Sequence, residues 1–165
     1  MRPRELLGNW LLCVVLNEVT GRSWALSGDP TGGDGAILDD DRKVGFLTEH
    51  VFVPPPDIST ATEAIDDKIV GAIRAKASKG ESYARGMTLV VFCEAVGSWF
   101  PDHIGRAVDG FHNFEAIWAL GLEDVHGQHY IYWVTKIEPV NSPAWRVRLS
   151  SDFDGWAVEP ILPKT

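Results

Sequence analysis

Two stretches of this chain are apolar on both faces of an extended strand, and they limit the fold more than any other feature. In residues 44–53, Val44, Phe46, Thr48, His50 and Phe52 alternate with Leu47, Glu49, Val51 and Val53. Residues 87–95 read Met-Thr-Leu-Val-Val-Phe-Cys-Glu-Ala, almost unbroken apolar sequence. Strands of this kind must be covered on both sides, so they belong in the middle of a sheet with other elements packed on each face.

The neighbouring segments supply that cover. Residues 4–19 are apolar nearly all round and stop before Thr20-Gly21, which predicts a buried first helix, with a strand as the open alternative. A short strand over 24–27 leads to a glycine-rich turn at 28–35, a strand at 36–38 and a polar hairpin tip at 39–43. Pro54-Pro55-Pro56 ends the next strand. Thr60 with Glu63 forms a capping-box pattern before a helix in which Ile65, Ile69, Ala72, Ile73 and Ala77 recur at helical spacing up to Gly80. Residues 101–108 read as a shorter helix, and 114–122, 130–137 and 145–149 as strands, with a last packed piece at 156–161. The order predicts an α/β fold in three layers, a mixed central β-sheet flanked by helices. A length of 165 residues suits one domain over 1–165, with a core region in about 4–95 and additional strands in 96–165.

Charge narrows the function classes. Fifteen Lys+Arg against 23 Asp+Glu give a formal net charge of −8, which argues against coating nucleic acid or an anionic membrane by bulk charge. A hydrophobic share of 45% excludes global disorder. The apolar run 6–16 is short of the roughly 20 residues a membrane span needs, so no membrane partner is expected. Cys13 and Cys93 lie inside apolar runs and read as reduced core residues of a cytoplasmic protein.

The chemistry-bearing candidates are carboxylates. Asp34 sits in the turn Gly33-Asp34-Gly35 before one strand, and Glu49 lies 15 positions later in the middle of the next. Antiparallel pairing across the hairpin would set them side by side, a hard-oxygen pair suited to Mg2+ or Mn2+. At about 100° per residue, Lys76 falls between Ile65 and Ile73, on the sheet-facing side of the predicted helix. Two readings are open for it: a stem lying along apolar surface with its amine in water, or an amine delivered to the carboxylates. Lys79 lies on the border of the same arc.

These segments resemble the PD-(D/E)XK nuclease superfamily, the restriction-endonuclease-like fold. Gly33-Asp34-Gly35-Ala36-Ile37 and Thr48-Glu49-His50-Val51 are similar to its two acidic motif strands, and they also resemble short uncharacterised bacterial proteins. The match covers about the first 95 residues. The resemblance implies a metal-dependent nuclease or nuclease-derived phosphodiesterase, with Asp34, Glu49 and Lys76 as catalytic residues. It places Mg2+ or Mn2+ on Asp34, Glu49 and the Val51 carbonyl, and it makes a homodimer plausible. The chain departs from the pattern at Glu49-His50-Val51, where the strand lysine is absent; some members carry it on the following helix, which Lys76 would meet. Glu18, late in the first helix, would add a carboxylate, against its reading as an exposed helix-end acid.

Other signals are weaker. Asp29 reads as a turn residue, and Asp39, Asp40 and Asp41 as a solvated tip. His50 points to the strand face opposite Glu49. Cys93, in mid-strand, is a poor nucleophile, and His126-Gly127-Gln128-His129 reads as a hairpin turn. The seven tryptophans read as packing residues. Arg146 and Arg148 share one strand face and are the candidates for a local nucleic-acid contact. The rival function is a non-catalytic interaction or accessory protein on the same fold, from a mobile element or a defence system.

Overall fold

The computed structural model describes residues 2–28, 33–39, 41–55, 64–95 and 97–162. Its elements run α1 (Pro3–Thr20), β1 (Trp24–Ser27), β2 (Gly35–Asp39), β3 (Val44–Val53), α2 (Ile65–Ala77), α3 (Glu81–Ala84), β4 (Met87–Cys93), α4 (Pro101–Val108), β5 (Ala116–His126), β6 (His129–Lys136), β7 (Ala144–Leu149) and β8 (Trp156–Pro160). All eight strands form one mixed sheet in sequence order. β3, β4 and β5 are parallel and the remaining pairs antiparallel. A parallel neighbour requires a crossover, which α2 with α3 provides before β4 and α4 before β5.

Strand alternation divides the core in two. Leu89, Val91 and Cys93 of β4 pack with Ile117 and Ala119 of β5 against Ile69 and Ile73 of α2 and Ile104 and Val108 of α4. Val90 and Phe92 face the other way and join Trp118, Leu120, Val134 and Val147 against Leu11, Leu12 and Val15 of α1. Five consecutive α1 residues, Leu11 to Val15, are buried, so the helix is covered on more than one side. The sheet does this by curling: α1 touches β1 and β2 at one margin and β7 and β8 at the other. Asn17 binds the Trp24 backbone through both its amide atoms, and Trp10 meets Trp156 edge-on at 5.4 Å between ring centres. A helix apolar all round is therefore what this sheet requires.

Several elements differ from the sequence expectation. Asp39 is not in a solvated tip: it ends β2, is 1% exposed and faces Arg22 at 3.9 Å. β5 continues to His126 and β8 is a paired strand, because hairpin pairing holds residues whose own pattern is weak. The Thr60–Glu63 capping pattern, Asp29 and Asp40 lie outside the described residues; α2 begins at Ile65. Asp66 in its first turn accepts the Phe100 N–H and bonds His103, joining the N-terminal ends of α2 and α4. Cys13 and Cys93 are buried and unpaired with each other. Among the described residues no helix is long and apolar enough to cross a membrane.

Candidate functional site

The β2–β3 register sets the first half of the site. Gly35 pairs with Thr48, so Asp34 lies one step beyond the ladder, level with Glu49. In place of a strand partner, the Asp34 carboxylate accepts the His50 N–H at 2.8 Å. Glu49 projects from the opposite edge of that peptide unit toward α2, and there it meets Lys76, whose ammonium donates to it. Both side chains are mostly buried, 12% exposed for Glu49 and 17% for Lys76. The lysine therefore does not merely lie along apolar surface; it reaches the acid that the helical spacing pointed to.

A third partner was not legible in the sequence. Gly80, at φ +99°, turns the chain from α2 into the four-residue α3, a backbone angle that favours glycine. That turn brings Tyr83 back over Lys76, whose Nζ donates to Tyr83 Oη at 3.4 Å; Lys79 donates to the same oxygen at 3.2 Å. The tyrosine hydroxyl in turn donates to Glu49.

The two carboxylates are held in opposite electrostatic states. Burial pushes Glu49 up, but the hydrogen bonds from Lys76 and Tyr83 and the charges of Lys76 and Lys79 overcome it, and its pKa lies below the ordinary value. Asp34 is raised, first by burial and then by the charges of Glu49 and Glu5; the His50 N–H and Lys76 only partly offset this. Burial, and the negative charge of Glu49 and Asp34, hold Tyr83 well above its usual value, so it stays a hydroxyl donor. Asp34 is thus an acid without an ion pair among the described residues, surrounded by more negative charge than the lysines cancel.

Glu5 belongs to this neighbourhood and Glu18 does not. Glu5 stands in the first turn of α1, where its carboxylate accepts the Arg2 N–H at 2.6 Å and its charge is felt at Asp34 and His50. Glu18 is exposed in the last turn, about 20 Å along a helix that rises about 1.5 Å per residue. Glu18 is the exposed helix-end acid of the second sequence reading, and the added carboxylate that the resemblance implied for it is not met. Glu5 was not singled out, since the direction in which a helix crosses a sheet is a tertiary property.

His50 occupies the other face, as alternation requires. Its ring packs on α1, with Nε2 3.0 Å from Asn9 Oδ1 and Nδ1 without a hydrogen-bond partner among the described residues. Gly8 makes room for it: a Cβ there would come within 3.0 Å of the ring. Burial pushes His50 down to about 4, so it is neutral. Val51 is placed less favourably than the sequence reading had it. Val53 O accepts from Glu94 N on the β4 side, and the two-residue period sends the Val51 carbonyl the same way. The His50 carbonyl instead shares the β2 side with the N–H that Asp34 holds. Arg146 and Arg148 lie on β7, away from the site; Arg146 is forked onto Glu123 at 2.6–3.0 Å and Arg148 faces Glu159 at 3.8 Å.

Among the described residues no three His, Cys, Asp or Glu side chains group to hold a metal ion. A hard divalent cation takes one or two carboxylates and completes its shell with backbone oxygen and water; here Asp34 and Glu49 are the oxygen donors it would use, Glu49 being already paired with Lys76. Asp34 is raised chiefly by burial, with the charges of Glu49 and Glu5 adding to it. Comparison with protein-family models, with curated proteins and with solved structures finds no match.

Proposed function

We propose that this chain is a metal-dependent phosphodiester hydrolase, a nuclease or nuclease-derived enzyme of the PD-(D/E)XK type on a three-layer restriction-endonuclease-like core. One observation carries the reading: Lys76, from the helix after the acidic strand, is delivered to Glu49, level with Asp34, which has no ion pair among the described residues. The helices on both faces of the sheet and the antiparallel β2–β3 hairpin entering a parallel β4 support the fold part of it.

Asp34 and Glu49 would hold Mg2+ or Mn2+, with the His50 carbonyl better directed than that of Val51. Such an ion, when bound, activates water and neutralises charge on a scissile phosphate. The residues themselves have separable roles. Lys76 keeps Glu49 ionised and offers N–H donors to a phosphate oxygen as negative charge develops there. Tyr83 fixes the Glu49 carboxylate through its hydroxyl and restrains the two lysines. Net acidity leaves nucleic acid to be engaged locally, so binding is expected to be weak and salt-sensitive.

The test is incubation of the purified protein with single- and double-stranded DNA and RNA in Mg2+ or Mn2+. Cleavage that is lost in Asp34→Ala and in Glu49→Ala is the expected result; cleavage surviving both substitutions overturns the assignment. The same Lys76–Glu49 pair favours the rival reading if it is only a structural ion pair: a folded protein that cleaves none of these substrates is then an interaction module, whether monomeric or dimeric.

A further inference from the structure

On the α1 face of β3, opposite Glu49, lies a cavity that the hydrolytic reading does not use. It is bounded by the first turn of α1 and the C-terminal halves of β3 and β4, and has a volume of about 450 Å³. That is within the ordinary range for a small-ligand site. Arg2, Arg4 and Glu5 stand on one side and Phe52 and Phe92 on another, and His50, whose N–H binds Asp34, is a further wall. We infer that this cavity receives one nucleotide unit of the substrate, its phosphate at Arg2 and Arg4 and its base on the Arg4–Phe52 stack. The inference rests on the proposed hydrolase reading and names its substrate class: single-stranded nucleic acid or a frayed end.

Three features support it. The arginines are weakly committed. Arg2 Nε is 3.8 Å from Glu5 and Arg4 Nε 3.7 Å from Glu94, and all but Glu5 are largely exposed. Such pairs contribute little, whereas a guanidinium binds phosphate through two parallel bonds. The apolar wall is aromatic, and the Arg4 guanidinium already lies over the Phe52 ring at 3.5 Å, so a base would stack on the outer face of the guanidinium, with Phe52 holding that plane in place. The position is tied to Asp34, because the residue whose N–H binds Asp34 is also a wall of the cavity, while Glu49 and Lys76 stand on the other face of β3. Glu5 and Glu94 oppose an anion, but Glu5 is turned onto the Arg2 N–H and Glu94 meets Arg4 only at 3.7 Å, both partners part-exposed. A duplex, with a major groove alone about 12 Å wide, is too broad to enter.

Adenosine 5′-monophosphate, adenosine and inorganic phosphate are titrated at low salt with chelator present, following amide shifts by NMR. Saturable nucleotide binding is expected, tighter than either fragment. Arg4→Gln should weaken it by about tenfold, a change of about 1.4 kcal/mol. Phe52→Leu, which keeps apolar volume, should weaken the nucleotide but leave inorganic phosphate unchanged. No saturation up to about 10 mM, or affinities indifferent to both substitutions, overturns the inference. Running this titration and the cleavage assay side by side on the unsubstituted protein separates the two claims. Nucleotide binding in a protein that cleaves nothing keeps the cavity and rejects the hydrolase; cleavage without nucleotide binding does the reverse.

Discussion

Glu49 and His50 are consecutive residues of β3, yet the fold treats them in opposite ways. Glu49 faces α2 and is given a lysine and a tyrosine, and its charge is favoured. His50 faces α1 and is given one bond to Asn9, and burial disfavours its charge. The strand does not decide this; the covering elements do. The sheet curls around the middle of α1 and buries Leu11 to Val15, while Glu49 on the α2 side stands near Asp34, where charged groups gather. Ionic chemistry is thus assigned to one face and packing to the other.

The largest effect should come from the packing face. Leu12→Ala is expected to cost about 2–5 kcal/mol, toward the upper end because the site is walled on several sides and cannot collapse. Ile73→Ala, under α2, should fall lower in the same range. Urea denaturation measures both, and a cheaper Leu12→Ala would break the contrast.

Acid sensitivity is the next measure. His50 has its folded pKa lowered to about 4 from 6.5, so the unfolded chain binds more protons between those values. Stability present above about pH 6.5 is therefore lost as pH falls toward 4, by about 3 kcal/mol. Glu49, also lowered, loses its contribution as pH falls through its folded pKa, whereas the penalty of the raised Asp34 is relieved by protonation. His50→Gln should flatten the urea midpoint between pH 6.5 and 5; an unchanged slope contradicts the neutral, buried imidazole.

Smaller again is the ion pair. A fully buried pair loses about 3–5 kcal/mol when one partner is removed, but Lys76 and Glu49 keep some solvent contact, so Lys76→Met should cost about 1–2 kcal/mol at neutral pH. Adding Glu49→Gln should recover part of it, and a double-mutant cycle with no coupling would mean that the pair is ornamental.

Much of this was legible in the sequence. A helix apolar all round, two strands apolar on both faces and a lysine on a helix's inner arc are periodic signals, and periodicity survives folding. What escaped depends on tertiary placement. Tyr83 sits on a four-residue helix with no period to detect. Glu5 rather than Glu18 reaches the site because of the direction in which α1 runs. The Val51 carbonyl turns to β4 by the parity of the ladder, which only the register reveals, and Asp39 is buried because the curled sheet closes over the end of β2.

The most direct test of the account is Mn2+ binding followed by electron paramagnetic resonance, since it does not depend on guessing a substrate. One saturable site per chain is expected, weakened about tenfold or more by Asp34→Asn and by Glu49→Gln and untouched by Glu18→Gln. Binding that ignores both site substitutions, or no saturable binding up to about 10 mM, would contradict the claim that the acids at the β2–β3 margin form a cation site.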